Sequence, residues 1–351
     1  MRSTLQLFAS ARQNTIGFIG VGRMGGHMLN NLIIRGRERR GDGPATRYVV
    51  CDPDDRCVKS VVERHQKENP DVEIQVAKNP HDLTLESSTI ISMIPKLVHV
   101  QKVYTSSDSP SVLSALKSGT LSPEEIAATI CMDESTIEME GSRAVAQQIE
   151  QTGAGMVDAP VSGGVYGAEK GTLTIMVGAS SKDKFEKAKP PLELMAKRVI
   201  HCGDLGAGLA AKICNNMMLG ISMLGLSEAM LLGKKLGLDQ QILGDIINTS
   251  TGQSWASSTN FPVPHVTISG SSPAAHRGYA DGFLSQLAHK DLVLALSAAK
   301  AVDSPLFTGE LTERVYRTMM EQQGDEYAGR DFSIVYKWLD EVVQKGSAKP
   351  V

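Results

Sequence analysis

The residues best placed to do chemistry in this 351-residue chain begin with Gly20-Val21-Gly22-Arg23-Met24-Gly25, a GxGxxG pattern directly after the apolar run 16–19. Asp52 follows, at the end of a second apolar run, 48–51. A strand, a glycine turn opening a helix, and an acid closing the next strand together make a dinucleotide-binding signature. Gly20 permits the tight turn, Gly22 lets the backbone approach a pyrophosphate, and Gly25 lets the helix pack closely on the strand. The helix start, with Arg23 and Met24, offers free N–H groups and a positive dipole end to phosphates. A carboxylate at Asp52 suits the ribose hydroxyls of NAD and repels the extra phosphate of NADP. Asp54 and Asp55 add to that repulsion, and Arg56 opposes it. The alternative is a glycine turn in an α/β protein that holds no cofactor.

Two further groups could carry chemistry. Ser162-Gly163-Gly164 offers a hydroxyl and backbone N–H groups that no side chain blocks, a nest fitted to a carboxylate. Lys212 lies in an otherwise apolar stretch. A lysine works as a base near neutral pH only when desolvation or a cationic neighbour lowers its pKa, and an apolar helix beside a domain boundary can desolvate it. The alternative is a surface lysine lying along its helix. Asn216, four residues on, shares the helix face of Lys212, and its amide can hold a hydroxyl or carboxylate. Asn215 points about 100° away. Gly208 allows another segment to approach the helix. His27, His201 and His276 stand in no constellation and read as structural. Arg35, Arg37, Arg39 and Arg40 read as a solvated loop. No Ser-His-Asp order, Walker loop or metal-ligand spacing appears.

These residues need elements to hold them. Apolar positions at Met24, Met28, Leu29, Leu32 and Ile33 fit one helix face, with Gly36 as its C-cap. Further apolar runs at 90–94, 129–132, 155–157 and 173–177 alternate with helix-like stretches, which implies a mostly parallel sheet. The Ser-, Pro- and Thr-rich stretch 104–125 reads as a surface insertion. From residue 207 to 236 there is no proline, and such a helix is about 45 Å long. Helices are also expected at 239–248, 284–301, 308–321 and 333–344. The fold expected is an α/β Rossmann-type dinucleotide-binding domain at 15–205, then an all-α domain at 206–345 entered by one long helix.

Composition limits the partners. Lys+Arg 36 against Asp+Glu 39 leaves a formal charge of −3, which argues against nucleic acid as the main partner. The most apolar stretch, 217–232, is interrupted by Glu228 and reads as a buried helix, not a membrane span. Five cysteines without CxxC spacing read as free thiols. The long apolar helix needs cover, so a homo-oligomer is expected. Residues 1–14 contain Arg2 and Arg12 and no acid, which reads as an organelle transit leader; a frayed leader of a cytoplasmic protein is the alternative.

The motifs also carry a resemblance. GFIGVGRMGGHMLNNL (17–32), DAPVSGGVYGAEKGTLTIMVG (158–178), GDLGAGLAAKICNN (203–216) and LAHKDLVLAL (287–296) resemble, in order and spacing, blocks of the β-hydroxyacid dehydrogenases. The similarity runs from about residue 15 to about 342. It implies an NAD-dependent dehydrogenase in which Lys212 transfers the proton. Ser162, Gly163, Gly164 and Asn216 would bind the hydroxy acid. Ile94, Pro95, Thr136 and Lys290 would join the glycine loop and Asp52 in holding the cofactor, with Asp291 orienting Lys290 or capping its helix. SWASSTNFPVPHV (254–266) and DFSIVYKWL (331–339) narrow the implied reaction to oxidation of 3-hydroxyisobutyrate to methylmalonate semialdehyde, a mitochondrial step of valine breakdown in eukaryotes. A semialdehyde or glyoxylate reductase of the same family is the runner-up, and a non-catalytic dinucleotide reader stands third. Three positions depart from the pattern: Met93-Ile94-Pro95 stands for the usual apolar-Leu-Pro, His99 replaces a common asparagine, and Glu134 replaces a serine in the usual Asp-Ser-Ser-Thr.

Overall fold

The computed structural model describes residues 12–40 and 45–344. Contacts divide the chain into two units after Lys212, inside the helix Ala207–Lys235.

The N-terminal unit is built on nine strands: β1 (Thr15–Ile19), β2 (Arg47–Cys51), β3 (Ile74–Val76), β4 (Thr89–Ser92), β5 (Ile130–Asp133), β6 (Gly155–Asp158), β7 (Val161–Ser162), β8 (Leu173–Ala179) and β9 (Ala196–Gly203). The first six lie parallel in the order β3-β2-β1-β4-β5-β6. This is the order of doubly wound dinucleotide-binding sheets. β8 then pairs antiparallel with β6 and with β7, and β9 runs parallel to β8.

Alternate strand residues go to opposite faces. Phe18, Val50, Ile91, Met132 and Val157 join one core with Met28, Leu29 and Leu32 of the helix Arg23–Arg40. Ile19, Val49, Ile90, Cys131 and Met156 join a second core on the other face. Both faces are buried, so the strands read as continuous apolar runs.

Several expectations change here. The helix after β1 does not stop at Gly36 but continues to Arg40; a side chain at Gly36 would crowd the Tyr48 hydroxyl. Arg35, Arg37 and Arg39 are therefore helical, and Arg37 and Arg39 pair with Asp71 and Glu193. The 104–125 stretch is no surface insertion. It holds the short helices Val112–Leu116 and Pro123–Ala128, each opened by a capping box, Ser111 with Ser114 and Ser122 with Glu125. Tyr104, Val112, Leu116 and Leu121 enter the second core.

Residues 1–11 of the expected leader lie outside the described residues. Arg12 does not: it is buried, and its guanidinium donates to the Thr84 carbonyl, Thr129 Oγ1 and the Glu125 carbonyl at 3.1, 2.9 and 3.0 Å. Arg12 is thus packed into the N-terminal unit.

The C-terminal unit is helical. After the long helix come Gln240–Thr249, Trp255–Ser258, Ser285–Ala301, Phe307–Gln323, Asp325–Ala328 and Val335–Gln344. Its core gathers Met223, Met230, Phe261, Tyr316, Phe332 and Trp338. The helix Ala207–Lys235 is long and apolar enough, by length and composition alone, to cross a membrane. In the fold its Met223, Leu224, Met230 and Leu231 are core residues. Asp331 ties the loops together, accepting from Asn260, Ser333 and the Phe283 N–H.

Candidate active site

The C-terminal ends of β1, β2, β4 and β5 form one hydrogen-bonded rim, where ligands of doubly wound sheets bind. Gly20, at φ +89°, makes the turn after β1, and a side chain there would strike the Met93 carbonyl. A side chain at Gly25 would strike the Gly20 carbonyl and crowd the Phe18 ring. At Gly22 a Cβ would meet nothing within 4 Å. Of the three, Gly22 alone is free of a packing constraint, so its backbone is open to close approach.

Asp52 is tied into this rim through both carboxylate oxygens. Oδ2 accepts the Val21 N–H at 2.8 Å and Oδ1 the Asp54 N–H at 2.8 Å. A carboxylate has about four acceptor positions, so about two remain that could accept from a ligand. Arg56 is turned onto Asp54 by a two-point contact of 3.0 and 2.8 Å. This pair holds the exposed Asp54 carboxyl down at about 2.

From β4, the Met93 N–H donates to the Ile19 carbonyl and the Ile94 N–H to Ser135 Oγ at 2.9 Å. Ile94 is buried and Pro95 exposed. Ser135 Oγ in turn donates to Asp133 Oδ1 at 2.5 Å. These bonds bring Gly20, Gly22, Asp52, Ile94 and Pro95 onto one edge, with Thr136 following β5 on the same rim.

Glu134 is the anomaly of the rim. It is 0% exposed, and neither carboxyl oxygen has a hydrogen-bond partner among the described residues. Burial first, and the neighbouring Asp133 second, push its carboxyl far above the usual range. Burial also raises Asp133 to about 6, against the lowering pull of its bonds from Ser135 and Ser92.

Ser162, Gly163 and Gly164 follow β7. Gly163 and Gly164 take φ +137° and +62°, conformations that glycine adopts without steric cost. Both are exposed and lead into the helix Gly164–Lys170.

Lys212 lies in the second turn of the long helix and is only 7% exposed. Asp158, at the end of β6, anchors that helix: its carboxylate accepts the Gly206 and Leu209 N–H groups at 2.6 and 2.9 Å. Gly208 permits the approach, since a Cβ there would strike the Met176 carbonyl and Asp158 Oδ2. One turn beyond Lys212, Asn216 is 6% exposed. Its Nδ2 donates to Asp291 Oδ2 at 2.6 Å, and its Oδ1 accepts from Asn215 at 3.0 Å. Asp291 therefore orients Asn216, and its other oxygen pairs with Lys290 at 3.8 Å. Lys290 itself lies on the helix Ser285–Ala301 of the C-terminal unit.

Asp158 and the unpartnered state of Glu134 were not legible in advance. The Asp158 signal was an acid closing a strand shortly before a glycine-rich helix start. His201 stacks on Phe185, and His276 bonds the Val266 carbonyl, as structural histidines do. The five cysteines are free, and burial raises Cys51 to about 11 and Cys131 to about 12, which makes them poor nucleophiles.

Comparison with known proteins gives a consistent picture. A family model described as the NAD binding domain of 6-phosphogluconate dehydrogenase matches residues 15–203. A second, described as the NAD-binding region of NADP-dependent 3-hydroxyisobutyrate dehydrogenase, matches residues 206–339. The probable mitochondrial 3-hydroxyisobutyrate dehydrogenase of Dictyostelium discoideum is 39% identical, over 97% of this chain and 97% of its own length. The human mitochondrial 3-hydroxyisobutyrate dehydrogenase is 39% identical, over 94% of this chain and 88% of its own. The structure of the Mycobacterium tuberculosis 3-hydroxyisobutyrate dehydrogenase with L-serine superimposes with a TM-score of 0.78 at 34% identity, covering 93% of this chain and 98% of that one. On these matches, which span both halves, the chain belongs to the 3-hydroxyisobutyrate dehydrogenases of the β-hydroxyacid dehydrogenase family.

Proposed function

We propose that the chain oxidises 3-hydroxyisobutyrate to methylmalonate semialdehyde with NAD as acceptor. The observation that carries this reading is the buried Lys212, one helical turn from an Asn216 that Asp291 holds in place. The nicotinamide of bound NAD supplies the hydride acceptor for the carbinol hydrogen. Lys212 takes the hydroxyl proton as the carbonyl forms. Asn216 orients the hydroxyl, and the Ser162-Gly163-Gly164 nest holds the carboxylate. The glycine rim of residues 20–25, with Ile94, Pro95 and Thr136, seats the dinucleotide. Lys290 is assigned to the cofactor on the resemblance.

NAD is preferred to NADP in this proposal because Asp52 presents a carboxylate to the ribose, and Asp54 engages Arg56. We further place the protein in the mitochondrial matrix, in valine breakdown, since the relatives from Dictyostelium and human are named mitochondrial. A homo-oligomer accounts for the exposed Leu232, Leu236, Ile242, Ile246 and Phe307 of the C-terminal unit, because apolar patches on soluble proteins mark contact surfaces.

The test is the initial rate of reduced cofactor formation with (S)-3-hydroxyisobutyrate, L-serine and glycerate, with NAD and NADP in parallel. The reading requires 3-hydroxyisobutyrate with NAD to give the highest kcat/KM. Preference for glycerate or NADP moves the chain to the reductase branch. No turnover with cofactor still bound makes it a dinucleotide reader.

A further inference from the structure

We propose that Asn31 and Arg35 are positioning residues for the acid-binding segment, clamping it to the helix that receives the cofactor phosphates. Both side chains project from the helix Arg23–Arg40 onto the far end of the helix Gly164–Lys170. Asn31, 8% exposed, donates Nδ2 to the Ala168 and Glu169 carbonyls at 2.7 and 3.2 Å. Arg35 donates to the Gly171 and Lys170 carbonyls at 2.8 and 3.0 Å. The last four carbonyls of a helix have no donor within it, and here two side chains of another helix serve that end. The fit is tight: a Cβ on Gly171 would strike the Arg35 guanidinium and Asn31 Oδ1.

The clamped helix has seven residues and no side-chain cap at its start. A helix of that length does not hold its shape unaided in water. Its start is the pair Gly163 and Gly164, whose backbone has the widest conformational choice of any residue. Its two ends are held differently: β7 pairs with β8 on one side, and Asn31 and Arg35 hold the other. The orientation of the nest is therefore set by the same helix that follows Gly22 and carries Gly25 in its first turn. That makes the affinity for the acid depend on two side chains that touch neither acid nor cofactor.

This inference rests on the proposed function for the identity of the acid, and its test separates the two. Wild type, Asn31→Ala, Arg35→Ala, the double variant and Arg35→Lys are compared as full chains by steady-state kinetics with 3-hydroxyisobutyrate and NAD. Amide hydrogen exchange is followed over residues 162–171. Loss of charge-assisted bonds should raise the acid KM about fivefold or more in the double variant. The KM for NAD and kcat at saturating acid should change less than about twofold, and exchange over 162–171 should quicken about tenfold. Arg35→Lys, which retains the charge but not the two-point contact, should recover part of the loss. An unchanged acid KM, or equal losses for acid and NAD, overturns the proposal. Should wild type turn over no hydroxy acid, the functional reading fails, and the exchange data decide the clamp: unaltered exchange over 162–171 refutes it.

Discussion

Asn216 and Asp291 stand 75 positions apart in sequence, yet the Asn216 amide donates to Asp291 Oδ2 at 2.6 Å with both side chains buried. The bond fixes which way the amide faces, one turn from Lys212. A bond to a buried charge contributes about 1.5–3 kcal/mol. Asp291→Ala should therefore lower kcat/KM by about 10- to 100-fold. Asp291→Asn keeps an acceptor oxygen and should lose less. Steady-state kinetics, with NAD affinity measured separately, checks the order of the three proteins; equal rates would remove Asp291 from the site.

The three glycines of the rim should respond differently to a methyl group. Gly22→Ala meets no protein atom within 4 Å, so thermal stability should hold while NAD affinity falls about tenfold or more. Gly25→Ala drives a Cβ into the Gly20 carbonyl and should destabilise the protein itself. Melting curves with and without NAD separate the two effects.

Glu134 should make stability fall as pH rises. Its carboxyl is held protonated in the fold by burial and by Asp133, while an unfolded glutamate titrates near ~4.3. The unfolded chain therefore releases the proton first. Stability is fully present below the unfolded value and is lost as pH climbs toward the folded one. Asp133, raised to about 6, acts in the same sense. Glu134→Met, similar in volume and without the carboxyl, should flatten the dependence and stabilise the protein at pH 8 by about 1–3 kcal/mol. Urea unfolding from pH 5 to pH 8 tests this; parallel curves for the two proteins would contradict it.

Asp52→Asn should shift cofactor preference. The amide can still accept one of the two backbone bonds from Val21 and Asp54, and it no longer repels a ribose phosphate. Like-charge contacts cost several kcal/mol, so the ratio of kcat/KM for NADP over NAD should rise about tenfold or more. An unchanged ratio would place the ribose elsewhere.

Much of this was legible because both faces of the parallel sheet are buried, so β1, β2, β4, β5, β6 and β8 appear as apolar runs. β3, β7 and β9 did not stand out: β3 and β7 have only three and two residues, and β9 is largely accessible along its length. Gly36 looked like a helix end because its partner, the Tyr48 hydroxyl, comes from the next strand. The 104–125 stretch looked like surface because its serines dominate the composition, whereas those serines cap short helices whose apolar residues are buried. The glycine turn after β1 and the acid at the end of β2 were readable from local pattern, whereas Lys212 was singled out by the resemblance. The Asp291 bond to Asn216, the Asp158 anchor and the Asn31 and Arg35 clamp join residues 48 to 138 positions apart, and no local pattern encodes such pairings.

Lys212 is the residue on which the proposed chemistry turns, and one comparison tests it most directly. Lys212→Ala and wild type are assayed for NADH formation from 3-hydroxyisobutyrate, with NAD binding followed in parallel by fluorescence. Loss of proton transfer should lower kcat by about 100-fold or more, with NAD affinity within about twofold of wild type because no rim contact is altered. A variant that keeps most of its rate would show that another group takes the proton.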